Sequence, residues 1–313
     1  MNKQAQLPKP DCDLSVQIGD VVFKNPVMVA SGTFGYGAEY AELFDLELLG
    51  AVMVKGVSLE PWTGNPLPRI VETPAGMLNA IGLQNPGVEA YVERYLPALR
   101  GRDVRVIVNV IGKTVDEYVG VVRRLEEVEG ADAYELNISC PNIKEGGIAF
   151  GVDPKMAAEV VGAVRKVTTR PVIPKLSPNV TDIKVMAKAC EDAGADAVSA
   201  VNTFLGMAID VRSERPVLAN VVGGLSGPAI RPLAVRMVWD VYEAVDIPII
   251  GMGGIASLED AIEFTLAGAS AFAVGTANFT SPTLSAEIAE SLPQLLREKG
   301  VSRFGDLVGR AHA

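Results

Sequence analysis

The sequence predicts an α/β protein built as a (β/α)8, or TIM, barrel, with an N-terminal hairpin at the barrel bottom and active-site insertions. Eight short runs rich in β-branched residues recur between residues 27 and 274, and amphipathic or irregular segments separate them. Most of the runs are continuously apolar, as expected for parallel strands that are covered on both faces. We expect residues 1–313 to form a single domain.

Each element of the predicted barrel has its own local signal. Helical periodicity over residues 115–129 and 181–192 fills two of the crossovers, and the second of these helices is expected to end before Gly194. A third helix over residues 153–168 begins with Asp153-Pro154, a favourable N-cap followed by proline at the first helical position. The predicted strands are the runs 27–30, 51–55, 104–110, 133–138, 172–176, 197–201, 247–251 and 271–274.

Three further segments lie outside this regular alternation. Residues 14–22 predict a short hairpin that turns at Gly19-Asp20 and closes the barrel bottom. Insertions at residues 60–87 and 203–227 follow predicted strands, so they belong to the face on which barrel enzymes carry their active sites. Within the second insertion, the glycine-rich run 223–227 predicts a loop that closes over a ligand.

Composition excludes several classes of function. The chain has 28 basic and 38 acidic residues, a net charge of −10 and no dense Lys/Arg cluster, so we expect no nucleic-acid partner. With 49% hydrophobic residues it has enough apolar material for a large core. The first residues lack the apolar region of a secretory signal, and the uncharged stretch 264–286 is broken by glycine and proline. We therefore expect a cytoplasmic protein that does not bind membranes.

Cysteine and histidine usage limits the chemistry further. The three cysteines, Cys12, Cys140 and Cys190, have no metal-ligand spacing, so we expect no metal site in this chain. Cys190 lies in a helical pattern and is predicted to be a core residue, and Cys12 is predicted to be inert. The single histidine, His312, is predicted to be a solvated tail residue. Acid–base chemistry must then use Cys, Asp, Glu, Lys or Tyr.

Polar residues end several of the predicted strands, where the functional side chains of a barrel lie. A lysine in an apolar strand such as PVIPKLS is costly to bury unless an anion or polar partner meets it. Lys175 alone fits a structural lysine paired with a carboxylate, whereas two lysines and three asparagines on one rim favour a ligand site. The rim residues are Lys55, Asn109, Asn137, Cys140, Lys175, Ser177, Asn202 and Thr203.

The last two predicted strands end in glycine-containing turns. Strand seven runs into Gly253-Gly254 before a helical segment at Ser257, and strand eight ends at Gly275-Thr276. Glycine lets backbone N–H groups approach a phosphate closely, and a helix N-terminus favours negative charge. The two turns together predict a phosphate site.

Cys140 follows predicted strand four in the polar sequence NISCPN. A lone cysteine is most often a small core residue. The loop continues through Lys144, Gly146 and Gly147, which favours the hypothesis of a mobile lid that carries a thiol base.

Four motifs together resemble the dihydroorotate dehydrogenase family: NAIGLQNPG at 79–87, NISCPN at 137–142, PVIPKLSPN at 171–179, and GLSGPAI at 224–230 followed by IIGMGGI. The resemblance extends over about residues 14–280 and implies an FMN-containing barrel that oxidises dihydroorotate to orotate in pyrimidine biosynthesis. Cysteine at position 140, where the membrane-bound class has serine, implies the soluble class. The form NAIGLQNPG is similar to that of the NAD-linked (class 1B) catalytic subunit.

The resemblance also implies roles for individual residues. Cys140 would take the proton from C5 of dihydroorotate while C6 passes a hydride to N5 of FMN. The implied substrate-binding residues are Lys55, Asn79, Ala80, Ile81, Gly82, Leu83, Asn137, Asn202 and Thr203. The implied FMN-binding residues are Ser31, Lys55, Gly56, Asn109, Asn137, Lys175, Val201, Gly227, Gly253, Gly254, Gly275 and Thr276.

An NAD-linked enzyme of this family implies a partner. Electrons would leave FMN through an electron-transfer subunit that carries FAD and a [2Fe-2S] cluster, around a homodimer of this chain within a heterotetramer. The sequence is consistent with this division, because it has no cysteine cluster and no strand-linked GxGxxG motif.

Three other interpretations stay open on the sequence. One is a stand-alone, fumarate-linked dihydroorotate dehydrogenase with the same fold, FMN and Cys140. Another is a phosphate-binding lyase in which Lys175 forms a Schiff base with its substrate. The third is a non-catalytic scaffold, which leaves the lysines and asparagines of the rim unexplained.

Overall fold

A computed structural model of the chain describes residues 12–139 and 150–313. Within these residues the strands are, in chain order, β1 (Val16–Ile18), β2 (Val21–Phe23), β3 (Val27–Val29), β4 (Ala51–Val57), β5 (Ile70–Thr73), β6 (Gly76–Asn79), β7 (Arg105–Val110), β8 (Ala133–Leu136), β9 (Val172–Pro174), β10 (Val198–Ala200), β11 (Phe204–Gly206), β12 (Ile209–Asp210), β13 (Arg215–Pro216), β14 (Gly223–Ser226), β15 (Ile249–Met252) and β16 (Ala271–Val274).

The described helices are α1 (Val88–Ala90), α2 (Val115–Glu126), α3 (Pro154–Arg165), α4 (Ile183–Asp192), α5 (Arg231–Tyr242), α6 (Leu258–Leu266), α7 (Ala277–Thr280) and α8 (Leu284–Glu298). A π-helical segment, Tyr91–Tyr95, follows α1 directly. Short 3-10 segments are Tyr40–Glu42, Leu46–Leu48, Leu96–Ala98, Pro228–Ile230, Phe304–Leu307 and Arg310–His312.

Eight strands form the parallel barrel in the order β10-β15-β16-β3-β4-β7-β8-β9. Each corresponds to one of the predicted runs, so the predicted fold class is confirmed. The two ends of this order, β9 and β10, meet through a parallel bridge between Lys175 and Ser199. The hydrogen bond from Leu176 N to Ser199 O, 2.8 Å long, extends the contact. The barrel is therefore closed at the rim beside a predicted site residue.

The helices cover the barrel with one apolar face each, as α2 illustrates. Thr114 caps this helix because its side chain accepts a hydrogen bond from Glu117 N. The residues that α2 buries recur at helical spacing and are Tyr118, Val121, Val122 and Leu125. The predicted helices that begin near residues 153 and 181 are likewise present as α3 and α4, capped by Asp153 and Asp182.

The N-terminal hairpin, β1 and β2, lies at the bottom of the barrel as predicted. A Cβ on Gly19 in its turn would lie 3.2 Å from Pro171, which directly precedes β9. Arg105 at the start of β7 donates from Nε to the carbonyl of Val22 over 3.2 Å. Both contacts are at N-terminal strand ends, and the C-terminal ends stay free for a site.

The two insertions meet in one antiparallel sheet of four strands in the order β11-β14-β6-β5, here called the roof sheet. The prediction of a loop at 223–227 is therefore wrong, because residues 223–226 form β14 between β6 and β11. Glycine permits this close pairing. A Cβ on Gly224 would lie 2.0 Å from Thr203 Oγ1, and one on Gly223 would lie 2.8 Å from Asn79 O.

His312 also differs from its prediction as a solvated tail residue. Its ring stacks on Trp239 with a centroid separation of 3.4 Å, and its Nε2 lies 3.1 Å from the carbonyl oxygen of Ala267. The imidazole therefore packs against α5, because stacking on an aromatic ring is more favourable for it than contact with water. Across residues 12–139 and 150–313, no helix is both long enough and apolar enough to span a bilayer.

Candidate active site

A cavity of about 570 Å3 lies between the C-terminal ends of the barrel strands and the roof sheet. Its size is in the range of roughly 300–1,000 Å3 that is typical of small-molecule sites. Most of the predicted site residues within the described part of the chain line this cavity: Ser31, Lys55, Gly56, Asn79, Ala80, Ile81, Gly82, Leu83, Asn109, Asn137, Lys175, Val201, Asn202, Thr203, Gly227, Gly253, Gly254, Gly275 and Thr276. Ser177, which was also predicted at the rim, does not line it, because its hydroxyl lies behind the wall and accepts a hydrogen bond from Asn179 N. The structure brings these residues together, while their individual roles stay predictions.

The predicted lid and its base cannot be placed in this geometry. Cys140, Lys144, Gly146 and Gly147 lie outside the described residues. The preceding residue, Ser139, lines the cavity and donates from Oγ to the carbonyl of Lys175 over 2.8 Å. The described chain therefore reaches the cavity wall at the position directly before Cys140.

Cys190 has the core position that was predicted for it. Cys190 is fully buried in α4, and this burial raises the pKa of its thiol to about 12. Cys12 is also buried. A thiol that ionises only in strong alkali is unsuited to accept a proton near neutral pH.

Lys175 reaches the cavity from the end of β9, where it is almost fully buried. Its Nζ lies 3.8 Å from Oε1 of Glu135, a completely buried carboxylate on β8. The interpretation of Lys175 as a lysine paired with a carboxylate therefore holds alongside its place in the cavity wall. Glu135 itself was missed by sequence reasoning, although a lone acidic residue in the apolar strand AYEL is the same kind of signal as the lysine.

Lys55, which lies within β4 near its C-terminal end, has different surroundings. Its ammonium makes no hydrogen bond or ion pair with residues 12–139 or 150–313, and it lies partly buried in the cavity wall. Burial lowers the pKa of Lys55, nearby Arg69 adds to this decrease, and Glu39 opposes it. An anionic ligand group would supply the missing counter-charge.

Three asparagines present amide groups around the same space. Asn202 Nδ2 lies 3.4 Å from Asn137 Oδ1, and Asn79 Nδ2 lies 3.5 Å from the carbonyl oxygen of Gly224. Both contacts are long for hydrogen bonds, so these amides keep donor and acceptor capacity for a ligand. Paired donors and acceptors of this kind suit the polar edge of a planar ring such as a pyrimidine.

Backbone N–H groups form the opposite end of the cavity, after β15 and β16. Gly253 and Gly254 have φ values of 127° and 90°, which favour glycine. The N–H groups of Gly253, Gly254, Gly275 and Thr276 donate to no acceptor in the part of the chain that the structure describes. Four free donors in a cavity wall fit a phosphate group.

Sequence reasoning missed several other polar cavity residues. Arg69 and Gln84 lie in the first insertion, and Arg69 Nη2 donates to Gln84 Oε1 over 2.5 Å. Asn179 donates from Nδ2 to the carbonyl of Thr203 over 3.0 Å and accepts from Leu205 N. These residues lie in segments without regular periodicity, so only the assembled roof sheet shows that they face the cavity.

Fold and cavity together define a class of protein, a (β/α)8 barrel enzyme with a roofed polar site whose free N–H groups and unpaired lysine suit anionic groups. The family model for dihydroorotate dehydrogenase matches residues 13–296. The chain belongs to the dihydroorotate dehydrogenase family.

Curated relatives agree with this assignment over almost their full length. A relative from Pelobacter propionicus is 57% identical over 95% of this chain and 98% of its own. Others from Geotalea daltonii and Desulforamulus reducens are each 56% identical, over 97% and 96% of this chain and 99% of their own. All three carry the name dihydroorotate dehydrogenase B (NAD(+)), catalytic subunit.

Proposed function

We propose that this chain is the catalytic subunit of an NAD-linked dihydroorotate dehydrogenase, which oxidises dihydroorotate to orotate in pyrimidine biosynthesis. The observation that carries the proposal is one cavity in which two lysines, several asparagines and four free backbone N–H groups converge. A ring with polar edges, a carboxylate and a phosphate-bearing cofactor match these groups in charge and hydrogen-bonding capacity. The names of the curated relatives support the same activity.

FMN is the cofactor that the described residues fit. Its phosphate suits the N–H groups of Gly253, Gly254, Gly275 and Thr276, and a side chain at Gly253 or Gly254 would collide with neighbouring atoms. A Cβ on Gly254 would lie 2.9 Å from Gly227 O, and one on Gly253 would lie 2.9 Å from the Ala234 side chain. When bound, FMN supplies an acceptor for the hydride that leaves C6 of dihydroorotate.

Residues of this chain would divide the remaining tasks. Ser31, Asn109 and Lys175 would hold the ring system of FMN, and a cation at Lys175 would favour the negative charge of the reduced flavin. Lys55 would bind the substrate carboxylate, since its ammonium lacks a counter-charge among the described residues. The side-chain amides of Asn79, Asn137 and Asn202 would orient the pyrimidine ring, with Ala80, Ile81, Gly82, Leu83 and Thr203 beside them.

Cys140 would remove the C5 proton. The roof sheet would exclude water from the ring while the proton and the hydride leave. Gly56, Val201 and Gly227 would complete the FMN site through their backbone, because each lines the same cavity.

The relatives are named as catalytic subunits, which implies a partner subunit for those proteins. We propose the same for this chain, with FAD and a [2Fe-2S] cluster in the partner, which passes the electrons to NAD. A homodimer of the chain within a heterotetramer and a cytoplasmic location complete the proposal.

An absorption spectrum of the purified chain tests the central claim. We expect a flavin spectrum that bleaches on anaerobic addition of dihydroorotate. Addition of fumarate should not restore it at a catalytic rate, whereas NAD should do so once the partner subunit is present. Rapid turnover of the isolated chain with fumarate would instead favour the stand-alone enzyme.

A colourless protein that takes up no added FMN would contradict the flavin assignment. The lyase interpretation would then be tested by borohydride, which traps a Schiff base on Lys175 in the presence of a carbonyl substrate.

A further inference from the structure

We propose that Glu135 is a positioning residue of the flavin site, which fixes three cavity side chains and balances the charge of Lys175. The inference rests on the proposed binding of FMN. It adds a residue that lies below the cavity rather than in its wall.

The carboxylate of Glu135 is completely buried, and both of its oxygens are bound. Oε2 accepts from Asn109 Nδ2 over 2.5 Å and from Ser31 Oγ over 3.3 Å. Oε1 accepts from Ser199 Oγ over 2.8 Å and faces Lys175 Nζ at 3.8 Å. One side chain therefore organises four others.

These partners come from different barrel strands. Asn109 lies in β7, Ser199 in β10, Lys175 just after β9 and Ser31 shortly after β3. Three of them, Ser31, Asn109 and Lys175, line the cavity and are the residues proposed to hold the flavin ring. A shift of the carboxylate would thus displace the ring contacts as a group, because each is oriented by the same two oxygens.

Charge gives Glu135 a second effect. Both it and Lys175 are buried, so each ion depends on the other to offset the loss of hydration. With Glu135 ionised, the positive charge that a bound flavin senses from Lys175 is partly cancelled. Glu135 would therefore make FMN harder to reduce than Lys175 alone would allow.

Glu135→Gln tests both effects in the full-length chain. One carboxylate oxygen becomes an NH2 donor that faces another donor, so we expect FMN to bind at least about tenfold more weakly. The charge of Lys175 is then uncancelled, and we expect reduced FMN to gain about tenfold over oxidised FMN in relative affinity. That ratio corresponds to a midpoint potential about 30 mV higher for the two-electron couple.

Ser199→Ala is the matched control. It removes a hydrogen bond to the same carboxylate but changes no charge, and Ser199 is outside the cavity lining. We expect it to lower the Tm of the apoprotein and to leave the FMN potential at the wild-type value. A purely structural role for Glu135 would make both variants behave alike, with lower Tm and wild-type FMN affinity and potential, and would overturn the proposal.

A second comparison covers the case in which Glu135→Gln does not fold. Lys175→Met leaves the carboxylate buried without its cation, whereas the double variant Glu135→Gln/Lys175→Met removes both charges. We expect the double variant to have the higher Tm as apoprotein. Equal or lower Tm would show that the two charges are not coupled and would contradict the proposed balance.

The wild-type chain separates this inference from the proposed function. If it does not bind FMN, both are overturned. If it binds FMN and Glu135→Gln matches it in affinity and potential, only the role of Glu135 is overturned.

Discussion

Two lysines reach the same cavity in opposite electrostatic surroundings. Lys175 faces the buried Glu135 carboxylate at 3.8 Å, whereas the ammonium of Lys55 contacts no acidic side chain within the described residues. A cation that is already paired serves best as a fixed part of the cofactor site, and one without a counter-ion is available to a substrate anion. The difference supports the proposal that Lys175 belongs to the cofactor site and that Lys55 binds the substrate carboxylate.

The pKa of Lys55 gives a prediction about pH. Because burial lowers this pKa, Lys55 loses its proton at a lower pH than an ordinary lysine, whose pKa is about 10.4. Orotate carries the carboxylate that Lys55 would bind. We therefore expect the Kd of orotate for the oxidised, FMN-loaded chain to rise with increasing pH, and to do so below the pKa of an ordinary lysine. Titrations of orotate between pH 7 and 10, followed by the flavin spectrum, measure the effect.

Lys55→Arg is the control for this titration, since arginine keeps its charge throughout the range. We expect the alkaline rise in Kd to disappear in this variant, whatever its affinity at neutral pH. The same alkaline rise in both proteins would show that another group titrates.

Cys140 carries a second prediction. A thiol ordinarily has a pKa of about 8.5 and ionises far more readily than a serine hydroxyl. We therefore expect Cys140→Ser to slow the reduction of bound FMN by dihydroorotate by at least about 100-fold near neutral pH, the lower range of general-base effects. Anaerobic stopped-flow at 450 nm measures the rate, and the flavin content serves as the control for intact binding. Wild-type reduction kinetics would exclude Cys140 as the base.

Single residues show what the sequence could and could not predict. Lys175 and the asparagines stand out because polar groups end otherwise apolar strands. Glu135 gives an equally clear signal, but its meaning depends on which strands face it across the barrel interior. His312 was predicted wrongly because nothing near it in the sequence indicates the distant Trp239 ring on which it stacks.

At the scale of elements, the roof sheet joins segments that are far apart in the chain. Residues 77–79 pair with 224–226, and the register places Asn79 opposite Gly224. The continuous apolar runs identified the barrel strands correctly, whereas short polar strands with adjacent glycines resemble loops. The position of both insertions on the catalytic face followed from the barrel, but their pairing with each other did not.

The glycine turn after β15 carries the third prediction. Gly254 has a φ of 90°, and a Cβ there would lie 2.9 Å from both Arg231 N and Gly227 O. Gly254→Ala must therefore shift the turn and its N–H group, and we expect FMN to bind at least about tenfold more weakly, the effect of losing one charge-assisted hydrogen bond. Fluorescence titration of the apoprotein with FMN measures the affinity.

Gly305→Ala is the matched control for this substitution, because a Cβ at Gly305 has no atom within 4 Å. We expect it to bind FMN as the wild type does. If Gly254→Ala binds FMN with wild-type affinity, the phosphate of FMN does not bind at this turn.

The stability of the whole molecule is expected to depend on its bound ligand. The cavity joins residues from both insertions and from strands around the barrel, so a bound ligand links much of the fold. A ligand that binds only the folded chain stabilises it by about 2.7 kcal/mol when its free concentration is 100 times its Kd. We expect FMN to raise the Tm of the apoprotein accordingly.

Riboflavin provides the comparison in this experiment, since it has the ring system of FMN but no phosphate. We expect a clearly smaller rise in Tm at the same concentration, because the N–H groups after β15 and β16 would have no anion to bind. An equal rise in Tm with both compounds would show that the phosphate does not bind to the N–H groups after β15 and β16.

The span of the cavity in sequence also orders events during biosynthesis. Its wall includes Ser31, just beyond β3, which is the first barrel strand to be synthesised, and Thr276, just beyond β16, which is the last. β6 can pair with β14 only after the chain has been synthesised as far as Ser226. A nascent chain therefore contains only parts of the site, and the cofactor can bind only late, once the barrel is complete.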